Sequence, residues 1–139
     1  MILLSSDHAG FDLKEALKGE LKKQKLKFVD LSPLREDNDD YPDVAKILAK
    51  NIKTSDYGIA LCGTGQGVCI ALNRFPNVRA VATTEVSILK LSRSHNDTNV
   101  LCLPGRFITA SKAIELILTF LNTEFSKAPR HIRRLQKIS

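Results

Sequence analysis

Residues 60–72 read ALCGTGQGVCIAL, and their pattern of apolar residues and glycines points to a particular fold class. It completes an apolar segment, YGIALC over residues 57–62, and then places glycines at positions 63, 65 and 67 before apolar residues resume. A buried strand of a parallel sheet is near-continuously apolar, because helices cover both of its faces. Glycines after such a strand allow a tight turn into a helix and let the backbone approach a ligand closely. The stretch therefore predicts a parallel strand, a glycine turn (residues 63–67) and a following helix.

The same alternation of strands and helices runs along the chain on either side of the glycine turn. Strands are predicted at MILLSS (1–6), LKFVDLS (26–32), YGIALC (57–62), VRAVAT (78–83) and NVLCLP (99–104). Helices are predicted over 11–24, 43–52, 84–95 and 109–125, and from the glycine turn to about residue 74. A polar loop at 32–42 and a basic C-terminal tail complete the pattern, and Asp43 is a candidate cap of the second helix.

Strands that alternate with helices predict right-handed βαβ crossovers and a parallel sheet. We therefore predict an α/β fold, a three-layer, Rossmann-like, doubly wound, five-stranded parallel sheet with strand order 2-1-3-4-5, in one domain over residues 1–139. In that order the switch point lies between strands 1 and 3, and ligands bind there, outside the carboxyl ends of the strands. SSDHAG (5–10) ends strand 1 and CGTGQG (62–67) ends strand 3, so both segments should border one crevice.

The amino-acid composition of the chain limits the kinds of molecule that it is expected to bind. The net charge is +6, with basic residues dense in KAPRHIRRLQK near the end, which is compatible with nucleic acid, a small anionic ligand or a solvated basic face. Aromatic residues are only 6% and do not interleave with this cluster, which disfavours nucleic acid. No apolar run approaches the ~20 residues of a membrane span, and no basic leader precedes the first strand. Three cysteines without framework spacing predict free thiols and a cytoplasmic location.

The residues around the crevice leave several kinds of chemistry open. The glycine turn lacks the Lys-Ser/Thr of a P-loop, whereas a dinucleotide site keeps some support because Glu85 follows about twenty residues later. Cys62 is either a reactive thiol or an inert buried one, and Cys69 and Cys102 fit the inert type. The cysteine and histidine spacings do not match a zinc site, so no metal is predicted.

Three polar positions remain ambiguous from the residues alone. Asp7 and His8 could be a helix cap and a surface histidine, or hydrogen-bonding partners of a polar ligand that faces Cys62. His95 could be a proton shuttle or could cap the end of a helix.

Six motifs in sequence order carry a resemblance that covers nearly the whole chain. They are SDHAG (6–10), DYPD (40–43), CGTGQG (62–67), SRSHNDTNVL (92–101), GRFI (105–108) and RHIRR (130–134). In these motifs the chain resembles the type B ribose-5-phosphate isomerase family, which includes galactose-6-phosphate and allose-6-phosphate isomerases. The resemblance implies a Rossmann-like dimer or tetramer with shared active sites. It also implies a phosphorylated sugar as substrate and no metal or other cofactor.

The resemblance implies three catalytic residues. Cys62 matches the base that moves a proton between C1 and C2 of the sugar, and Thr64, with amides of the glycine turn, matches the group that stabilises the enediolate oxygen. His95 matches the acid/base that opens the sugar ring. Gln66 stands where a second branch of the family has a glutamate base, so the chain resembles the cysteine branch.

The resemblance also implies a substrate-binding set. Its members are Asp7 and Tyr41 at the sugar, His8, Arg130 and Arg134 at the phosphate, the glycine turn with Gly63, Gly65 and Gly67, and Asn96 and Arg106 from the partner subunit. The chain departs from the family pattern at Pro104, Ala128 and Pro129, near the loops that carry the arginines.

The predicted function is therefore interconversion of ribose 5-phosphate and ribulose 5-phosphate in the pentose phosphate pathway. Two alternatives are an isomerase of six-carbon sugar phosphates and a non-catalytic relative that binds a nucleotide or RNA.

Overall fold

A computed structural model describes residues 1–138 of this chain, and Ser139, the last residue of the predicted domain, lies outside the described residues. The strands are β1 (Ile2–Ser6), β2 (Phe28–Asp30), β3 (Tyr57–Cys62), β4 (Ala80–Ala82) and β5 (Val100–Pro104). The helices are α1 (Phe11–Lys23), α2 (Tyr41–Asn51), α3 (Gln66–Leu72), α4 (Val86–Asn96), α5 (Ala110–Asn122) and α6 (Pro129–Ile138).

The five strands form one parallel sheet, as predicted, in the order β2-β1-β3-β5-β4. The predicted order 2-1-3-4-5 is wrong for its last two strands. All five residues of β5 are buried, so its backbone groups need hydrogen-bonding partners on both sides, and β5 pairs with β3 and β4. β4 has three half-buried residues and pairs on one side only, as suits a short edge strand. The switch point between β1 and β3 is unaffected.

Helices cover both faces of the sheet, which confirms the predicted three layers. Because successive strand residues point to opposite faces, Leu4 packs in one cluster with α1, α4 and α5, whereas Leu3 packs in the other with α2 and α3. In β5, Leu103 joins the first cluster and Cys102 the second. β1, β3 and β5 are therefore anchored on both faces, and their carboxyl ends are held in fixed places.

Several predicted helix bounds differ from the structure; the helix predicted over 109–125, for example, spans Ala110–Asn122. α2 begins at Tyr41 with Asp40 as its N-cap, so Asp43 lies in the first turn and does not cap the helix. Pro42 suits that first turn because it has no backbone N–H to leave unpaired. The basic tail, to which the sequence analysis assigned no secondary structure, forms α6, which begins at Pro129. Proline at a helix start is a signal that the charged composition of this segment concealed.

Within residues 1–138, no helix is both long enough and apolar enough to cross a bilayer.

Close contact at Gly10 positions the loop after β1. A Cβ atom added to Gly10 would lie 2.5 Å from Leu61 Cβ and 2.7 Å from the Leu61 carbonyl carbon. A Cβ on Gly105 would in turn lie 2.7 Å from Gly10 Cα. The loops after β1 and β5 and the end of β3 therefore meet without room for a side chain.

We predict opposite effects for alanine at two glycines near and within α1. Gly10→Ala should lower the free energy of unfolding by about 1–3 kcal/mol, because strand backbone must shift to admit the methyl group. Gly19→Ala should raise it by about 0.5–1 kcal/mol, since Gly19 is exposed in mid-helix with nothing within 4 Å of an added Cβ. Urea unfolding of both variants tests this, and a stable Gly10→Ala protein would contradict the packing account.

Candidate active site

The carboxyl ends of β1 and β3 bring Asp7 and Cys62 to the predicted crevice. The backbone N–H of Asp7 donates to Leu61 O at 3.2 Å, which ties the two strand ends together. The buried Asp7 carboxylate accepts hydrogen bonds from the N–H groups of Ala9 at 2.9 Å and Gly10 at 3.1 Å. Asp7 therefore shapes the loop that leads into α1, beside the position where a ligand would lie.

The glycine turn holds the Cys62 thiol in a defined position. Cys62 is only 4% exposed, and its Sγ accepts a hydrogen bond from the Gly65 N–H at 3.2 Å. Gly65 has φ +77°, and an added Cβ would lie 3.0 Å from the Leu103 carbonyl carbon, so glycine is required there on both counts. The turn therefore fixes the sulfur in place and points a backbone donor at it.

Thr64 stands at the exposed tip of the same turn. Its Oγ1 accepts a hydrogen bond from the Gln66 N–H at 3.3 Å, which leaves its own O–H free to donate. Tyr41, at the start of α2, packs its ring over the turn, since an added Cβ on Gly67 would lie 2.8 Å from that ring. Thr64, Tyr41 and Cys62 thus surround one small region.

The loop after β5 adds Arg106 to this group. Gly105 N–H donates to Cys62 O at 2.8 Å, and Arg106 N–H donates to Gly63 O at 3.2 Å. The Arg106 guanidinium lies 3.4 Å from the position of an added Cβ on Gly63. The resemblance implied that Arg106 reaches in from a partner subunit, whereas in this structure it lies beside the glycine turn of its own chain.

His8 is paired with an acid that the sequence did not single out. Its Nδ1 lies 2.8 Å from Asp39 Oδ1, which also accepts the His8 backbone N–H at 2.9 Å. The hydrogen bond to Asp39 raises the pKa of His8 above its ordinary value, and the charge of Asp7 adds to the rise, while partial burial and Arg106 oppose it. The loop between β2 and α2 also carries Glu36, Asp37 and Asp40, so its sequence gave no pattern that would select Asp39 among these acids.

The loop that carries Asp39 is itself anchored by a buried lysine. Lys14 of α1 is fully buried, and its Nζ donates to Asp30 Oδ2 at 2.6 Å and to Ser32 O at 2.9 Å. Burial by itself would raise the pKa of Asp30, but hydrogen bonds from Lys14, the Ser32 amide and Lys18 outweigh it and lower the pKa. The start of the loop is thereby fixed against α1.

Asp7, His8 and Asp39 also form the group within residues 1–138 whose ligand atoms could surround a metal, all within 4.8 Å of one another. The hydrogen bonds just described already account for that proximity. The expectation that the site needs no metal stays a prediction.

The remaining predicted residues lie at the amino edge of the sheet, where the strands begin, opposite the carboxyl edge that carries Cys62. They are His95, Asn96, Arg130 and Arg134. α4 begins after the carboxyl end of β4 and ends at Asn96, shortly before β5 begins at Val100. Val100 pairs with Gly58, near the start of β3, whereas Cys62 pairs with Pro104. The four residue steps from Val100 to Pro104 at about 3.3 Å each place His95 and Asn96 roughly 13 Å or more from Cys62 along the strand direction.

α6 joins that second group. The His131 ring stacks on the His95 ring, with centroids 4.2 Å apart and planes 17° from parallel. Arg130 and Arg134 are exposed on the same helix, one turn apart. Within one chain, the predicted site is therefore divided into a carboxyl-edge group around Cys62 and an amino-edge group of His95, Asn96, Arg130 and Arg134.

The other two cysteines differ from Cys62. Cys102 is fully buried in β5, and burial raises the pKa of its thiol well above the ordinary value. Cys69 lies half-buried on α3, hydrogen-bonded to Cys102 and to Asn73. Within residues 1–138, neither thiol accepts a hydrogen bond from a backbone N–H of the glycine turn, as Cys62 does.

Comparison with known proteins gives one consistent family. The sequence model described as "Ribose/Galactose Isomerase" matches residues 2–138. The chain is 42% identical to the probable ribose-5-phosphate isomerase B of Mycoplasma genitalium, over 99% of this chain and 92% of that protein. It is 34% identical to ribose-5-phosphate isomerase B of Escherichia coli, over 99% and 93% respectively.

Solved structures agree with this result. A ribose 5-phosphate isomerase from Thermotoga maritima superposes with a TM-score of 0.92 at 43% identity, covering 99% of this chain and 95% of that one. The Mycoplasma genitalium ribose-5-phosphate isomerase B with bound ribulose-5-phosphate superposes with a TM-score of 0.86 at 42% identity, covering 99% and 92%.

We predict that Asp39→Asn lowers the pKa of His8 toward 6.5, the ordinary value for histidine. A raised pKa in the folded state adds stability that is fully present below the unfolded-state pKa and is lost as pH rises through the folded-state pKa. The variant should therefore lose more stability at pH 5.5 than at pH 8.5. NMR titration of the His8 ring, assigned with a His8→Gln variant, measures the pKa directly.

Asp37→Asn is the matched control for this titration, because Asp37 is an exposed acid of the same loop that bonds Arg35. An equal shift of the His8 pKa in both variants would show that loop charge, and not the Asp39 contact, sets it.

Proposed function

The chain belongs to the ribose/galactose isomerase family and is an isomerase of the ribose-5-phosphate type, and we propose that it interconverts ribose 5-phosphate and ribulose 5-phosphate with Cys62 as the base. The observation that carries the assignment of the base is the hydrogen bond from Gly65 N–H to Cys62 Sγ at the switch-point crevice. Gln66, four residues after Cys62, is neutral and provides no competing carboxylate.

The proposed chemistry uses the turn as it stands. The Cys62 thiolate takes the proton from C2 of the open aldose, the C2–H electron pair forms a C1=C2 double bond, and the carbonyl electrons move to O1. Thr64 O–H and turn amides donate to the resulting enediolate oxygen, which is the usual means of lowering such a barrier. The Cys62 thiol then returns the proton to C1, and the O2 proton passes to the O1 oxyanion, so that C2 becomes the ketone and C1 carries a hydroxyl group.

Basic groups receive the phosphate in this proposal. His8, whose pKa the Asp39 contact raises, and the Arg106 guanidinium lie beside the crevice, and Arg130 and Arg134 offer forked donors that match phosphate oxygens. Asp7 and Tyr41 line the sugar. Binding energy from the phosphate, which does not react, holds C1 and C2 beside the thiolate.

A complete site requires two copies of the chain. His95, Asn96, Arg130 and Arg134 lie at the amino edge of the sheet, away from the Cys62 group at the carboxyl edge. In a closed two-fold dimer the amino edge of one copy can meet the carboxyl edge of the other, which makes two equivalent sites. We place this homodimer, or a tetramer built from it, as the active form.

The cysteine mechanism also indicates where the enzyme works. Cys62 acts only as a thiol or thiolate, and Cys62, Cys69 and Cys102 are all free. A reducing cytoplasm preserves that state.

We predict that Cys62→Ala lowers kcat for ribose 5-phosphate by about 10²–10⁴-fold and leaves KM nearly unchanged, since the base is lost and the binding groups remain. Coupled spectrophotometric assay with a chelator present measures both constants, and a six-carbon aldose phosphate assayed in parallel defines substrate choice.

Cys69→Ala and Cys102→Ala are the matched controls and should keep kcat within a few-fold of the starting protein. A Cys62→Ala protein that is as active as these controls would contradict the assignment of Cys62 as the base. Wild-type preference for the six-carbon substrate would instead correct the substrate and leave the base in place.

The shared site predicts complementation between two inactive variants. Cys62→Ala and His95→Ala chains, once co-expressed, should give hybrid dimers in which one site carries both defects and the other carries none. Random pairing makes roughly half of the dimers hybrids, each with one of two sites intact, so activity should recover to about a quarter of wild type.

Two different affinity tags allow the hybrid to be purified free of revertants. Both parent variants must remain dimeric in gel filtration. A purified hybrid that is no more active than either parent would place Cys62 and His95 in the same chain's site.

A further inference from the structure

The stacked pair of His95 and His131 has a feature that the proposed chemistry leaves unused. His131 is 5% exposed, and its Nε2 is buried without a hydrogen-bond partner among residues 1–138. Buried polar atoms are normally paired, so an unpaired nitrogen requires a reason for the ring to be there. The contact that the ring does make is face to face with His95.

Face-to-face contact leaves both ring nitrogens of His95 able to donate or accept a hydrogen bond. Imidazole nitrogens donate and accept in the plane of the ring, whereas stacking occupies the face of the ring. Within residues 1–138, no hydrogen bond engages a ring nitrogen of His95. His131 therefore restrains the orientation of His95 without occupying either nitrogen that could exchange a proton.

The surrounding backbone supports the same restraint. Ser126 N–H donates to Ser94 O at 3.0 Å, and buried Arg93 donates from Nε to Thr123 O at 3.1 Å. The segment between α5 and α6 is thus bonded to the last turn of α4 on the residues just before His95. His131 then meets the His95 ring from the first turn of α6, where its backbone N–H bonds Ala128 O at 2.9 Å.

The charge state of the pair suits this arrangement. Burial lowers the pKa of His131, and the neighbouring charges of His95, Arg130 and Arg134 lower it further. His131 is consequently neutral at neutral pH. A neutral ring can stay stacked while His95 gains and loses a proton, whereas a charged one would repel the protonated form.

We propose that His131 is a positioning residue that holds the His95 ring in the orientation required for opening the sugar ring. The inference rests on the proposed function, because it takes His95 as the ring-opening acid/base. Arg130 and Arg134 flank His131 on α6, so the helix that would bind phosphate is also the helix that orients His95.

The two sugars separate ring opening from proton transfer. Ribose 5-phosphate is mainly a closed furanose and must be opened before Cys62 can act. Ribulose 5-phosphate cannot close a furanose ring, because the oxygen on C5 carries the phosphate. Exchange of a C1 hydrogen of ribulose 5-phosphate with deuterated solvent therefore requires the Cys62 base and the enediolate but not ring opening.

Two variants of similar volume test the stack. His131→Leu fills the space without a flat ring, and His131→Phe keeps a flat ring without nitrogens. We expect His131→Leu to slow isomerisation of ribose 5-phosphate by about tenfold or more, as a small misplacement of a catalytic group does. In His131→Leu, the rate of deuterium exchange into ribulose 5-phosphate, measured by NMR, should stay within about twofold of wild type. His131→Phe should isomerise ribose 5-phosphate at close to the wild-type rate.

Other outcomes would overturn the inference. A parallel loss of isomerisation and exchange in His131→Leu would indicate a general structural role, and no loss would indicate no role. If His131→Phe is as slow as His131→Leu, stacking is not what orients His95. Circular dichroism and gel filtration of both variants confirm that fold and assembly are kept.

His95→Ala, measured beside them, separates this inference from the proposed function. If His95→Ala isomerises ribose 5-phosphate normally, the ring-opening role of His95 fails whatever His131 does. If His95→Ala loses isomerisation and keeps exchange while His131→Leu changes neither, only the role of His131 fails.

Discussion

The close meeting of Gly10, Gly105 and the end of β3 is the constraint on which the rest of the site depends. No Cβ fits at either glycine, because each would lie within 2.7 Å of a neighbouring loop or strand atom. This contact lets three strand ends converge, and it places Asp7, Cys62 and Arg106 in one region. Close-packed backbone of this kind is rigid, so the thiol and the amides of the glycine turn are held ready before any ligand arrives.

A second layer of contacts supports the first from outside. The buried Lys14 of α1 bonds Asp30 and so fixes the start of the loop after β2. The same loop places Asp39 against His8. An uncompensated buried lysine would cost several kcal/mol, so the ion pair is required once the lysine is there. The electrostatics of the crevice are thus set partly by residues that touch no substrate.

The candidate residues divide between two edges of the sheet, and the proposed function gives this division a chemical purpose. In that proposal the Cys62 group transfers the proton at C1 and C2, whereas the group on α4 and α6 opens the sugar ring and supplies part of the phosphate site. A homodimer would complete each site, so association would control activity. The proposed stacking role of His131 would keep the far group in its geometry before association.

The α/β class, the five parallel strands and the switch point could be read from the sequence, because apolar periodicity and glycine positions are local properties of the chain. The family resemblance carried by the six motifs also pointed to Cys62, Thr64 and His95, whose roles remain predictions. Folding was needed to reveal that β5 and not β4 pairs with β3, that the basic tail is a helix, that Asp39 pairs with His8 and that His131 stacks on His95. Each of these depends on contacts between residues distant in sequence, whose energies of burial and hydrogen bonding no local pattern encodes.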